Sequence, residues 1–137
     1  MLASQNVVLR PGDVLLIRNG YIAAYKMLAD DAVMERGKTP FPPSIGLEQS
    51  QEILRFLWNS GVVAVAGDML TLEAWPWQNE DFWLHEWLIA GWGCPIGEYF
   101  DLERLSAECA QFEKWTFFFT SVPLDVSTKY MSSLPPF

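Results

Sequence analysis

Two residues, His85 and Glu98, are the strongest candidates for chemistry in this sequence. His85 is the only histidine in the chain, which excludes a metal cage built from several histidines and leaves at most one imidazole for general acid–base catalysis. Glu98 follows a predicted helix that carries His85, after a glycine-containing turn over residues 91–97. Such a turn can fold the carboxylate back onto the imidazole. We therefore treat both as candidate catalytic residues and candidate metal ligands, although two ligands alone bind a metal weakly.

Each of the two also has a purely structural interpretation. A single histidine that lies among Trp83, Trp87 and Leu88 on a helix is typical of a packed or hydrogen-bonded residue. Glu98 can equally be an exposed or helix-capping carboxylate. The residue types and their spacing leave both interpretations open.

Three further polar residues follow predicted strands. Asp68 and Glu73 flank the start of an aromatic loop after a buried run, and the carboxyl ends of strands are where α/β folds open their ligand crevices. Arg18 ends the first apolar run and can bind a carboxylate. Asp68 is therefore a candidate catalytic residue, and Glu73 and Arg18 are candidate substrate-binding residues. A turn role for Asp68 and a surface ion pair for Arg18 are the structural alternatives.

Aromatic side chains are concentrated between residues 75 and 92. The set can wall an apolar pocket, form an interface or fill a core. Two of its members, Trp75 and Trp83, are candidate substrate-binding residues. The whole set is Trp75, Trp77, Phe82, Trp83, Trp87 and Trp92.

The elements that must position these residues alternate between strand and helix, which indicates a single α/β domain. The predicted strands are residues 14–18, 62–66 and 115–120. The predicted helices are residues 21–35, with Gly37 as the stop, 48–59, 80–90 and 101–111, the last capped by Asp101. Residues 38–46 carry three prolines, and residues 69–79 are irregular and aromatic, so both are predicted loops.

Bulk composition excludes several functions. Seventeen acidic residues against nine basic ones give a net charge of −8, which has the wrong sign for binding nucleic acid, and no basic run suits an anionic membrane. The two cysteines, Cys94 and Cys109, lack metal or disulfide spacing and are predicted to be buried free thiols. No secretory signal or membrane-spanning run is visible, so a cytoplasmic location is expected.

Longer stretches of the sequence resemble one known family. PGDVLLIRNG at residues 11–20, GVVAVAGDMLTLEAWP at 61–76, LHEWLIAGWGCPIGEYFDLERL at 84–105 and WTFFFTSVPL at 115–124 are similar, in the same order, to segments of the metal-dependent cyclases, which include kynurenine formamidase-like proteins. The residues in these segments are most similar to those of the fungal branch of the family. The resemblance implies the later part of that family's swivelling mixed-sheet α/β fold, with three or four helices.

The resemblance also implies roles for individual residues. His85 and Glu98 match the family's metal-site histidine and glutamate, with one extra residue in the turn between them. Asp68 matches the aspartate at a strand end, and Trp75 lies in the loop beside the substrate. The family's H-x-G-T-H-x-D motif, which supplies most of the metal ligands, is absent from a chain with one histidine, so we expect a truncated, split or degenerate member.

Two functions follow as expectations. The first is a small-molecule cyclase, dehydratase or amide/lactone hydrolase, in which His85 and Glu98 bind zinc or manganese completed by another chain, or act without metal as acid and base. The second is a non-catalytic protein that binds a ligand or a partner. In both cases uncovered sheet edges predict a homo-oligomer or a complementary chain.

Overall fold

A parallel three-stranded sheet lies at the centre of the computed structural model, which describes residues 2–40 and 42–121. The strands are β1 (Val14–Ile17), β2 (Ala64–Gly67) and β3 (Ile96–Gly97), in the order β1-β2-β3. Val14 pairs with Ala64, and Val65 pairs with Ile96. The predicted strands at 14–18 and 62–66 are thus found, and the third strand of the sheet is the short segment before Glu98.

The central strand β2 is held by close contacts on both sides. Val65 is completely buried, as expected for the middle strand of a parallel sheet. Gly67 ends the strand so close to β1 that a Cβ atom there would meet the sulfur of Met69 and come within 2.6 Å of the Ile17 carbonyl oxygen. Only glycine therefore allows this approach.

Helices connect and cover the strands. They are α1 (Tyr21–Lys26), α2 (Asp30–Lys38), α3 (Gln51–Ser60), a π-helix (Glu86–Gly91) and α4 (Glu103–Phe112), and a short 3-10 turn spans Ala3–Gln5. The start of α3 is fixed by Ser50, whose hydroxyl accepts a hydrogen bond from the backbone N–H of Ile53 at 3.3 Å, as an N-cap serine does.

The single helix predicted over residues 21–35 is wrong. The chain forms α1 and α2 instead, with Ala29 in an extended conformation between them. Asp30 and Asp31 then occupy the first turn of α2, where the helix dipole favours negative charge. Gly37 is not a stop but lies inside α2.

Two other helix predictions need smaller corrections. The segment 80–90 becomes helical only at residue 84 and continues as the π-helix, one turn of wider winding. Helix α4 begins at Glu103 with Leu102 as its N-cap residue, although the Asp101 carboxylate still accepts a hydrogen bond from the Glu103 N–H at 3.4 Å.

The strand predicted at residues 115–120 is wrong. These residues have no regular structure and pair with none of the three described strands. Phe118 is 91% exposed. Residues 122–124, the end of the same stretch, lie outside the described residues.

The core lies between the sheet, α3 and the π-helix. Its buried side chains are Leu54, Leu57, Val65, Leu72, Leu84, Leu88 and Cys94. Cys94 and Cys109 are both buried and free, as predicted. Burial raises the pKa of the Cys94 thiol, so this sulfur is a packing group.

Candidate active site

The carboxyl ends of the three parallel strands present the polar residues singled out by the sequence. Arg18 and Asn19 follow β1, Asp68 follows β2, and Glu98 follows β3. Because parallel strands deliver their carboxyl ends to the same edge of a sheet, these residues come from distant parts of the chain to one region.

His85 lies between two carboxylates in this region. Its Nδ1 atom is 2.8 Å from Oε1 of Glu73, and its Nε2 atom is 3.2 Å from Oε1 of Glu98. The structure thus brings His85 and Glu98 together and adds Glu73, which the sequence suggested only as a substrate-binding residue. The His85 side chain is 37% exposed and that of Glu73 only 8%, so the imidazole reaches solvent while Glu73 lies beneath it.

Backbone N–H groups hold both carboxylates in place. Glu73 accepts hydrogen bonds from the N–H groups of Leu84 at 2.8 Å and His85 at 3.3 Å, at the start of the helical segment that leads into the π-helix. Glu98 accepts one from the N–H of Leu72 at 2.7 Å. The aromatic loop and the turn after β3 are therefore tied to each other through side chains of the site.

The two carboxylates determine the charge of the imidazole. Hydrogen bonds from His85 to Glu73 and then to Glu98 raise the pKa of His85 to about 9, against the opposing effect of burial. Burial alone would raise the pKa of Glu73, but its hydrogen bonds with His85 and the Leu84 N–H outweigh that effect and lower the pKa. The same balance, with His85 and the Leu72 N–H as donors, lowers the pKa of Glu98.

At neutral pH the site is therefore an imidazolium between two ionised carboxylates. A charged imidazole can give up a proton at Nε2, and a partly exposed carboxylate can accept one. The buried Glu73 fixes the ring orientation through Nδ1, which is the role a carboxylate plays behind a catalytic histidine.

The described residues do not by themselves fit a metal site. Among them, no group of three or more His, Cys, Asp and Glu side chains is arranged to hold a metal ion. His85 and Glu98 can offer two ligands, and Glu73 stands behind Nδ1 as an orienting carboxylate does. A catalytic zinc needs three protein ligands.

Asp68 is completely buried and acts on the backbone of the first crossover. Its carboxylate accepts hydrogen bonds from the N–H groups of Asn19 at 2.6 Å and Gly20 at 2.8 Å. These bonds fix the turn between β1 and α1. A catalytic role for Asp68 stays a prediction, while its role in the turn is plain from the contacts.

Arg18 forms a bidentate ion pair with Glu103 of α4. The distances are 2.9 Å from Nε and 2.8 Å from the terminal nitrogen. The hydrogen bond to Glu103 raises the pKa of Arg18 further. A substrate carboxylate would have to displace Glu103, so substrate binding by Arg18 stays a prediction.

The predicted aromatic substrate-binding residues form a row of rings. Trp75 meets Trp77 edge-on with ring centroids 4.6 Å apart, and Trp77 meets Trp83 at 4.2 Å. Trp75 also lines a small apolar cavity of about 240 Å³ with Pro42, Leu70 and Thr71. Substrate binding by Trp75 and Trp83 stays a prediction, and the apolar recess at Trp75 has room for part of a small ligand.

Sequence reasoning missed Tyr99, which follows Glu98 directly. Tyr99 has a left-handed backbone with φ of 58°, and burial together with the neighbouring Tyr21 raises its pKa. The signal was present, since Tyr99 stands inside the stretch that carries the resemblance. A left-handed non-glycine residue beside a functional side chain is a feature that only coordinates reveal.

No family model and no curated protein matches this chain. Among solved structures, the chain is similar to a protein described as a novel cyclase, with 29% sequence identity and a TM-score of 0.76 over 91% of this chain. The chain is thus similar in fold to a cyclase. It spans 39% of the length of that cyclase, so the activity of the whole protein is a proposal here.

Among the described residues, no helix has both the length and the apolar character needed to cross a bilayer.

Proposed function

We propose that this chain carries the acid–base half of a cyclase-type site that closes or opens small amides or lactones, with His85 as the acid and Glu98 as the base. The observation that supports the proposal is the placement of His85 between a buried carboxylate at 2.8 Å and a solvent-accessible one at 3.2 Å. The similarity to a solved cyclase supports the reaction class.

Hydrolysis of a lactone illustrates the chemistry. Glu98 takes a proton from a water molecule, whose oxygen forms a bond to the lactone carbonyl carbon. The carbon–oxygen bond of the ring then breaks, and His85 gives its Nε2 proton to the departing oxygen. The protonated Glu98 returns a proton to His85 across their short separation, which regenerates the site. The reverse sequence closes a ring with loss of water.

Glu73 has a positioning role in this scheme. It does not face the substrate but keeps the His85 ring oriented through Nδ1 and stabilises the protonated form. Asp68 remains a proposed contributor to catalysis through the turn after β1. Arg18, Trp75 and Trp83 remain proposed substrate contacts, the last two through their ring faces, and the substrate-binding role expected for Glu73 becomes an indirect one through His85.

Zinc or manganese enters the proposal only with ligands from outside this chain. His85 and Glu98 would hold the ion together with those ligands, and the metal would supply a water of lowered pKa. His85 would first have to lose the proton that its two carboxylates favour. We therefore propose a homo-oligomer or a complementary chain as the source of the remaining groups, without membrane or nucleic-acid partners.

A non-catalytic role is the second candidate, favoured by one observation. Each ring nitrogen of His85 already faces a carboxylate. The trio of His85, Glu73 and Glu98 can therefore serve as a structural link between the aromatic loop at residues 69–79 and the turn after β3. In that case the aromatic row binds a ligand or partner and no bond is broken.

Turnover of a simple lactone and a simple amide separates the two candidates. Dihydrocoumarin and formanilide are suitable probes, followed by absorbance. If the proposed function holds, the wild-type chain opens one of them, and His85→Gln and Glu98→Gln each lower kcat by about 10²-fold or more. Full activity in either variant contradicts the assigned roles.

Glu80→Gln is the matched control. Glu80 is exposed, and the substitution removes the same charge as Glu98→Gln outside the trio. Its kcat should equal that of the wild type. If the wild-type chain binds dihydrocoumarin but does not open it, alone or with zinc added, the binding role is the correct one.

A further inference from the structure

A second group of polar side chains includes Tyr99, the residue after Glu98, and takes no part in the contacts of His85 with Glu73 and Glu98, which we call the acid–base trio. Arg36 of α2 donates a hydrogen bond from Nε to the Tyr21 hydroxyl at 3.3 Å, and its guanidinium carbon lies 5.4 Å from the centre of the Tyr21 ring. The Tyr21 ring in turn meets the Tyr99 ring edge-on with centroids 6.0 Å apart. A guanidinium and two phenols are thus in contact.

The backbone joins this group to the reaction site at Tyr99. Tyr99 is bonded in sequence to Glu98, and adjacent Cα atoms are only about 3.8 Å apart. Its N–H donates to the Met69 carbonyl at 3.2 Å, and its left-handed backbone is an uncommon conformation for a residue with a side chain. The direction of the Tyr99 side chain is therefore determined by the surrounding structure, and 52% of the residue stays exposed.

The chemistry of the group suits an anion. The other basic side chains near this end of the sheet are already paired, Arg18 with Glu103 and Lys26 with Asp101. Arg36 forms no ion pair with any described carboxylate; its described bonds go to the Tyr21 hydroxyl and, from a terminal nitrogen, to the Pro43 carbonyl at 3.3 Å. A guanidinium has five N–H donors, so two bonds leave donors for a ligand.

We propose that Arg36, Tyr21 and Tyr99 form a subsite for a carboxylate group of the ligand. The guanidinium supplies the charge and N–H donors, and one O–H donor remains in the pair of phenols, whose hydroxyls are hydrogen-bonded to each other. The inference rests on the proposed function in one respect: the substrate is then a small carboxylic acid whose reacting amide or lactone carbonyl lies at His85 and Glu98. Carboxylate binding itself does not require turnover.

Benzoate and its neutral analogue benzamide test the subsite by isothermal titration calorimetry on the complete chain. Wild type should bind benzoate at least tenfold more tightly than benzamide. Arg36→Gln should weaken benzoate binding at least tenfold and leave benzamide unchanged. Equal affinity of wild type for the two probes, or unchanged benzoate binding in Arg36→Gln, overturns the proposal.

Two further variants control for a general effect of charge and for loss of folding. Arg55→Gln removes the same charge from an exposed position on α3 and should leave the benzoate affinity within twofold of wild type. If Arg36→Gln fails to fold by circular dichroism, Tyr99→Phe decides, since it removes only a hydroxyl: a threefold or greater loss of benzoate affinity supports the subsite and no loss overturns it.

His85→Gln separates this inference from the proposed function. The variant should lose turnover and keep its affinity for benzoate. Loss of turnover without any preference for benzoate over benzamide in wild type would refute the subsite alone. A clear preference for benzoate in a chain that opens no amide or lactone would refute the catalytic proposal alone.

Discussion

At the scale of single residues, the site depends on one imidazole between two carboxylates. The sequence indicated that His85 and Glu98 can meet, because a glycine-containing turn separates them. It could not predict the contact of His85 with Glu73, since the path of the irregular loop between them is set by tertiary contacts. These include the backbone bridge between Leu47 and Glu73.

The protonation of His85 can be observed directly, because a single histidine gives a single set of imidazole signals in a proton NMR titration. We expect a pKa of about 9 in the wild type. Glu73→Gln removes the largest cause of the raised pKa and should move it clearly downward. Glu80→Gln should leave the pKa unchanged. A wild-type value near the ordinary 6.5 would contradict the described contacts.

The same contacts make stability depend on pH. The pKa of His85 is raised by folding, so its stabilising contribution is complete below about 6.5 and is lost as the pH rises through about 9. The lowered pKa values of Glu73 and Glu98 act oppositely: their contribution is present above the ordinary value of 4.5 and is lost as the pH falls through the folded values.

Urea denaturation between pH 4 and pH 10 measures this dependence. Wild type should be more stable than His85→Gln by the largest margin near pH 6, and the margin should shrink toward pH 10. The difference between the two proteins isolates His85 from other groups that titrate at high pH. A constant difference across the range would show that the imidazolium contributes nothing.

At the scale of elements, the sequence predicted strands at 14–18 and 62–66 and a helix at 48–59 because their patterns are local. Two failures have non-local causes. The apolar residues over 21–35 keep helical spacing across the break between α1 and α2 at Ala29. No glycine or proline in this segment marks the position of the break. Residues 115–120 have strand-forming aromatic residues but pair with none of the described strands, and pairing with a distant strand is not determined by local composition.

Glycine positions test how tightly the site loop is packed. A Cβ atom on Gly46 would collide with the backbone of Glu73 and come within 2.6 Å of the Ala74 nitrogen. Gly46→Ala should therefore destabilise the fold by about 1–3 kcal/mol and shift the His85 titration, because Glu73 must move. Thermal melting and the NMR titration measure the two effects.

Gly37→Ala is the matched control. Gly37 lies inside α2 with nothing within 4 Å of an added Cβ atom. Alanine favours helix, so stability should be unchanged or higher by about 0.5–1 kcal/mol. Equal losses in both variants would contradict the packing described for residue 46.

At the scale of the whole molecule, the described sheet leaves β1 with a single neighbour, β2. A cavity of about 590 Å³ lies beside β1 and is also lined by residues of α4 and by residues 115–119. Its lining includes the consecutive residues Val14, Leu15 and Leu16, whose side chains alternate between the two faces of the sheet. The cavity therefore follows the strand edge, where another chain can add a strand.

We expect the protein to associate at micromolar concentration, which size-exclusion chromatography with light scattering can measure. Phe118 lines this cavity and is 91% exposed, so Phe118→Ser should weaken association with little effect on the melting temperature. Met27→Ser, which changes a residue that is 87% exposed away from the cavity, is the control. A monomer in the wild type would refute the expected self-association.

Strand β3 has only two residues, and Glu98 follows it directly. Ile96 and Gly97 pair with Val65 and Ala66, and the next residues are held by bonds from Tyr99 N–H to Met69 and from Phe100 N–H to Gly67 at 3.2 and 3.0 Å. A shift by one residue would turn the Glu98 side chain to the opposite face. The pairing register of a two-residue strand therefore decides whether the base can meet the acid.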